Sequence, residues 1–209
     1  MTVIAIDGTF ASGKGTLGKR LADHYGLPYL DTGKLYRAVG HAVMTAGNDP
    51  SDEAKAALAA KALDVEILSD PVLKSGNVAV AASKVAVHPE VRTALFQFQR
   101  DFAKSGAVLD GRDIGTVICP DADVKLYIDA APEERARRRH LELTGYGEDI
   151  SLETVLAQLI ERDTRDKTRK EAPLKPADDA HLIDTTHLGI EAVFDLAVEI
   201  IDGLLAIKA

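Results

Sequence analysis

Gly8-Thr9-Phe10-Ala11-Ser12-Gly13-Lys14 follows the pattern G-x-x-x-x-G-K and lies between a short apolar run and a stretch with helical spacing. Glycines let the backbone curl there, so that successive N–H groups and a helix N-terminus point at phosphate oxygens, while the Lys14 ammonium reaches the β and γ phosphates. Gly15 follows the lysine, which leaves Thr16 as the hydroxyl expected near Mg²⁺ and the phosphates. The bland reading is a glycine-rich turn with an exposed lysine. A second concentration of chemistry is cationic: seven of the twelve arginines lie between positions 135 and 169, in a chain of net charge −8. Arg135, Arg138 and Arg139 share one helical face by spacing, as do Arg162, Arg165 and Arg169. Planar bidentate donors of this kind suit the charge spread over a phosphoryl group in transfer. Against this stands a solvated helix in which Glu134, Glu161, Asp163 and Asp166 pair with the arginines. For Arg137 and Arg165 the two readings are level. Asp110, at the end of an apolar run before Gly111, sits where a carboxylate could order Mg²⁺ through water; a plain turn aspartate is the alternative.

These groups need a scaffold, and the hydrophobic pattern supplies one. Val3 to Ile6 reads as a strand buried on both faces, and Leu17 to Tyr25 reads as a helix that Gly26 stops. Further strands are expected at 28–30, 107–109, 124–128 and 181–183, with helical patterns between most of them. Strands alternating with helices predict an α/β fold, a doubly wound parallel sheet flanked by helices. Residues 51–100 break the rhythm: an alanine-rich helix to about Leu63, a short strand expected over Val65 to Leu68, turns, then more helix. Ile190 to Leu205 reads as a packing helix. No repeat is apparent.

With 209 residues, 46% apolar and 28% charged, the chain is long and apolar enough for one globular domain with a buried core. The net negative charge argues against nucleic acid as a partner. A single cysteine, Cys119, forms no internal disulfide, and neither a basic leader nor a membrane-length apolar stretch opens the chain, so a cytoplasmic location is expected. The six histidines show no metal-ligand spacing. Asp31-Thr32-Gly33 matches the aspartic protease triplet, but it occurs once and in an α/β pattern, so that reading is set aside.

Four segments in order, Gly8 to Thr16, Asp31-Thr32-Gly33-Lys34-Leu35-Tyr36-Arg37, Asp110-Gly111-Arg112-Asp113-Ile114-Gly115-Thr116 and Glu161-Arg162-Asp163-Thr164-Arg165-Asp166-Lys167-Thr168-Arg169, make the chain resemble the bacterial cytidylate kinases over nearly its whole length. The resemblance implies a single P-loop kinase domain. Its core would span 1–37, 106–134 and 171–209, with an acceptor-binding insertion over 38–105 and a mobile arginine-rich lid over 135–170, tipped by Gly145-Tyr146-Gly147. The activity implied is γ-phosphoryl transfer from ATP to CMP or dCMP with Mg²⁺. By the same resemblance, Gly8, Thr9, Phe10, Ala11, Ser12, Gly13, Lys14, Gly15 and Thr16 hold ATP, and Arg135, Arg138, Arg139, Arg162 and Arg169 join Lys14 in catalysis. Thr32 and Arg37 hold the acceptor, Ser83 and Arg92 read cytosine, and Arg112 faces the acceptor phosphate. Asp113 accepts from the base amine, Asp166 bonds ribose hydroxyls, and Thr16 and Asp110 serve the metal. Two departures stand out: the segment from Val65 to Ser83 is shorter than the long forms of this kinase branch, and Ala11 replaces a frequent glycine. A kinase of the same build acting on UMP, AMP or a small hydroxyl metabolite is the nearer rival, and a non-catalytic nucleotide switch the farther one. A monomer is expected, since no apolar face is left unmatched. Lys14→Ala should cost several kcal/mol of transition-state stabilisation in an otherwise folded protein, read as kcat/KM beside an unchanged melting curve.

Overall fold

The computed structural model describes residues 1–208. Its centre is a sheet of five strands among the described residues: β1 (Val3–Gly8), β2 (Tyr29–Asp31), β3 (Ala107–Gly111), β4 (Val124–Asp129) and β5 (His181–Asp184), in the order β2-β3-β1-β4-β5. Every pairing is parallel. A parallel sheet needs helices on both faces, and its inner strands then read as unbroken apolar runs. Ile4, Ala5 and Ile6 of β1 are indeed fully buried. Ile4 and Ile6 pack with Leu17 and Leu21 of α1 (Lys14–Tyr25) and with Val193, Ala197 and Ile201 of the last helix (Ile190–Lys208). Ala5 and Leu109 face Ile114, Ile118 and Ala103 on the other side. The α/β doubly wound architecture expected from the sequence is present.

Helix α1 stops where expected: Gly26 takes the left-handed conformation at φ 64°, and its N–H donates to the Ala22 carbonyl. Between β2 and β3 the chain leaves the sheet through α2 (Thr32–Thr45), α3 (Glu53–Lys61), α4 (Gly76–Val85) and α5 (Pro89–Ala103), which enclose a second core around Leu35, Val39, Val85 and Val91. The strand expected over Val65 to Leu68 is absent. Val65–Ser69 and Pro71–Lys74 form short 3₁₀ turns, because Asp64 and Asp70 accept hydrogen bonds from the Glu66 and Val72 N–H groups and divert the backbone from extension. Past β4, α6 (Pro132–Gly145) and α7 (Leu152–Thr168) form a helical hairpin closed on Ala136, Leu143, Val155 and Leu159. We number the terminal helix α8.

One buried group ties β1 to the segment that follows β3. Asp7 accepts from the Ile114 and Gly115 N–H groups, each at 2.8 Å, and so fixes the start of a short π-type turn, Ile114–Ile118, next to Arg112 and Asp113. Burial pushes the Asp7 carboxyl up to about 7 in spite of those two donors.

Helices α2 and α4 come closest where Gly40 meets Ala81 and Ala82. A Cβ at Gly40 would lie 2.9 Å from the Ala81 Cβ and 3.0 Å from the Ala82 nitrogen, neither of which can swing away. Gly40→Ala should therefore lower stability by about 1–3 kcal/mol, overriding the helix propensity it gains. Gly203→Ala, on α8 with nothing within 4 Å of its Cβ, should raise stability by up to about 1 kcal/mol. Thermal melting of the two variants reads both signs.

Candidate active site

The carboxyl ends of β1, β2 and β3 open into a cleft of about 340 Å³ bounded by the insertion and the α6–α7 hairpin, and lysines and arginines line it twice as often as carboxylates do. Its floor is the loop from Gly8 to Lys14. At Gly8, φ is 151° and a Cβ would lie 1.9 Å from the Ile128 carbonyl oxygen, so no other residue fits the exit from β1. Ala11 accepts a left-handed φ of 61°, which is where the commoner glycine would be at ease. The loop is braced from within and from β4 and β5. Thr9 Oγ1 donates to Asp129 (2.6 Å), Ser12 Oγ to the Thr9 carbonyl (2.9 Å) and Thr185 Oγ1 to the Ser12 carbonyl (2.9 Å). Gly8, Thr9 and Ser12 thus shape the loop from behind, while Phe10, Ala11, Gly13, Lys14, Gly15 and Thr16 line the cleft.

Lys14 Nζ donates to the Thr9 carbonyl at 3.1 Å. Burial, and after it repulsion from Arg112, holds its ammonium well below the usual lysine range, against the pull of Asp110 and Asp31. Those two carboxylates are register partners at the ends of β3 and β2. Burial first and the neighbouring Asp31 second push Asp110 up, and Tyr29 donates its hydroxyl to Asp110 at 2.5 Å. Crowded carboxylates beside the exposed Thr16 hydroxyl are oxygen donors of the kind Mg²⁺ takes, and among the described residues no His/Cys/Asp/Glu cluster of three offers an all-protein cage. The residues fit the ion.

On the far side, each carboxylate is bracketed by guanidiniums. Asp113 accepts from Arg92 in a very short contact and from Arg169 at 3.5 Å. Asp166 accepts from Arg112 at 3.0 Å, and Arg162 lies 3.8 Å away. Burial alone would raise the Asp166 carboxyl; Arg112, then Arg162 and Arg169, outweigh it and hold it low. Several arginines reach backbone instead: Arg37 donates to the Leu73 carbonyl (3.4 Å), Arg139 to Lys74 (3.4 Å) and Arg162 to Ala79 (3.1 Å). Thr32 Oγ1 donates to the Asp110 carbonyl at 2.8 Å, and Ser83 Oγ accepts from Arg165 at 3.1 Å.

Two arginines of the expected catalytic set are not in the cleft. Arg135 is 2% exposed: it donates to Asp163 with both terminal nitrogens (3.2 and 2.7 Å), to Ala130 (2.7 Å) and to the Phe10 carbonyl (3.2 Å), from beneath the loop. Arg138 turns to Glu134 and to the Thr185 carbonyl (2.7 Å), and Arg137 pairs with Glu134 in solvent. Glu161 pairs with Arg165. The pairing pattern weighed from sequence thus holds for several members of this set, while Arg139, Arg162 and Arg169 line the cleft. Sequence reasoning assigned no role to Asp31, Tyr29 or Lys74, which also line it. Asp31 had a usable signal, because like Asp110 it ends a strand on the loop side; Lys74 had none.

A family profile described as cytidylate kinase matches residues 4–203. The chain belongs to the cytidylate kinase family. It is 54% identical over 206 residues to a curated cytidylate kinase of Rhodopseudomonas palustris strain ATCC BAA-98 / CGA009, covering 98% of this chain and 97% of the relative. To that of Afipia carboxidovorans it is 56% identical over 202 residues, covering 96% and 97%. A crystal structure of an uncharacterized Eubacterium ventriosum protein, 18% identical, shares the fold at a TM-score of 0.55, covering 97% of this chain and 99% of that one. This cytidylate kinase transfers the γ-phosphoryl group of ATP to CMP or dCMP, and the other acceptors and the silent switch are not favoured. No helix of the described residues is long and apolar enough to cross a membrane.

Removing one member of a buried ion pair strands the other. Arg135→Ala should therefore cost about 3–5 kcal/mol of stability. Arg139 pairs with Glu142, whose side chain is 47% exposed and can be hydrated in its absence. Arg139→Ala should lower turnover with a much smaller shift of the melting midpoint, so melting and turnover measured side by side separate the two arginines.

Proposed function

We propose that the cleft holds both nucleotides end to end, with the triphosphate on the loop from Gly8 to Thr16 and the acceptor between the insertion and the end of β3. Lys14 neutralises the β and γ phosphates from the loop side; Arg139, Arg162 and Arg169 meet the equatorial oxygens of the group in transfer. Arg37 and Arg112 hold the acceptor phosphate, whose oxygen is already an anion and attacks without a strong general base. Thr16, Asp110 and, through its place beside Asp110, Asp31 would hold Mg²⁺, which would supply positive charge to offset that of the phosphates.

Cytosine falls to Asp113, with Arg92 and Ser83 beside it, and Asp166 takes ribose hydroxyls. The Asp113 carboxylate accepts from the N4 amine of cytosine and repels the O4 of uracil. What carries the whole reading is the second electropositive subsite facing Lys14 across one cleft, because a nucleotide switch has no use for a second phosphate site. Arg135 and Arg138 act at one remove, bracing the loop and the end of β5. The insertion over 38–105 and the hairpin over 135–170 close on the bound pair, and closure expels water. The enzyme works as a cytoplasmic monomer, and its acidic surface leaves nucleic acid aside.

ADP release from MgATP with CMP, dCMP, UMP, AMP or no acceptor tests this. Release should be fast with CMP and dCMP, weak with UMP and near zero without acceptor; equal slow release in every case overturns the acceptor assignments. Asp113→Asn should lower kcat/KM for CMP and shrink the CMP-over-UMP ratio by about tenfold or more, since a carboxamide can donate to uracil O4.

A further inference from the structure

Arg162 presents a physical problem. Its side chain is only 14% exposed, and its Nε is buried with no hydrogen-bond partner. Arg112, Arg37 and Arg139 crowd it, so that burial and then their repulsion, against the pull of Asp166, hold the guanidinium down to about 9. Asp166 lies 3.8 Å away but gives its closer contact, 3.0 Å, to Arg112. A carboxylate of its own would steady this cation and also neutralise it, competing with any phosphoryl group it is meant to meet. What it has instead is an aromatic face: its guanidinium carbon stands 4.1 Å from the centroid of the Phe10 ring, with that of Arg139 at 5.5 Å.

Phe10 is well placed to serve as such a support. Its carbonyl accepts from Arg135, the next residue takes a left-handed turn, and Ser12 and Thr9 lock the loop behind it. The ring also borders the apolar wall formed by Ala79, Leu143 and Leu159.

We propose that Phe10 is a positioning residue that holds Arg162, and more loosely Arg139, on the face of its ring and so fixes the arginine hairpin to the phosphate loop. A ring face attracts a cation without occupying the N–H donors in the guanidinium plane, so those not given to the Ala79 carbonyl stay available to phosphoryl oxygens. Because the ring belongs to the loop that carries the triphosphate, Arg162 and the γ-phosphoryl group share one frame of reference. The inference rests on the assignment of Arg162 to the group in transfer.

The test compares Phe10→Leu, which keeps apolar bulk, with Phe10→Tyr, which keeps the ring, each alone and combined with Arg162→Ala. Readouts are kcat, KM for ATP and KM for CMP, with melting curves to confirm folding. Phe10→Leu should lower kcat about tenfold while KM for ATP moves by less than about threefold, and Phe10→Tyr should stay within about twofold of the parent. In the Arg162→Ala background, Phe10→Leu should cause only a small further fall, that of the looser Arg139 contact. Leucine serving as well as tyrosine, or leucine costing the same factor with and without Arg162, would overturn the proposal. An Arg162→Ala enzyme of normal turnover would overturn the assignment beneath it, whereas a slow Arg162→Ala beside a normal Phe10→Leu would overturn the role of Phe10 alone.

Discussion

Like charges buried together repel, and the cleft of this kinase is organised around that constraint. An acidic protein has drawn its arginines to one edge of the sheet, where desolvation and mutual repulsion act on Lys14 and Arg162 alike. Each cation is tolerated by a different device. Asp163 neutralises Arg135 outright, Asp166 and Asp113 are each shared between two guanidiniums, and Arg162 rests on an aromatic ring. The fully paired arginine lies under the loop, and the incompletely paired one faces the cleft. Counter-charge for these crowded cations is what a polyanionic ligand would supply.

The parallel sheet makes this crowding possible. Its strands end together, so the phosphate loop after β1, Asp31 after β2 and Asp110 to Asp113 after β3 converge although long stretches of chain separate them. Asp7 adds a stitch between two of them, bonding from β1 to the backbone just past Asp113. The residues at the strand ends are therefore held on one rigid edge, while the helical parts bound the cleft from the other side.

Much of this was legible in the sequence, for reasons that particular residues make plain. Buried parallel strands are continuous apolar runs, so β1 and β3 announce themselves, and the phosphate loop is a local motif whose glycine at position 8 answers to a backbone contact. The arginines were harder. Helical spacing puts Arg135, Arg138 and Arg139 on one face, but a face has neighbours along its length: Arg135 meets the underside of the loop, Arg138 the turn after β5, and Arg139 the cleft. No periodicity distinguishes these. Val65 to Leu68 misled because three apolar residues in four suit a strand only where a partner strand exists, and aspartates before and after supply local acceptors that favour tight turns.

Two hairpin arginines meet the insertion through main-chain acceptors: Arg139 and Arg162 donate to the carbonyls of Lys74 and Ala79. Any amino acid carries a carbonyl, so these contacts place no demand on side-chain identity at positions 74 and 79. They depend on where the backbone runs. Packing still constrains the buried Ala79, but what the two arginines register is the path of the chain there rather than the side chains it carries.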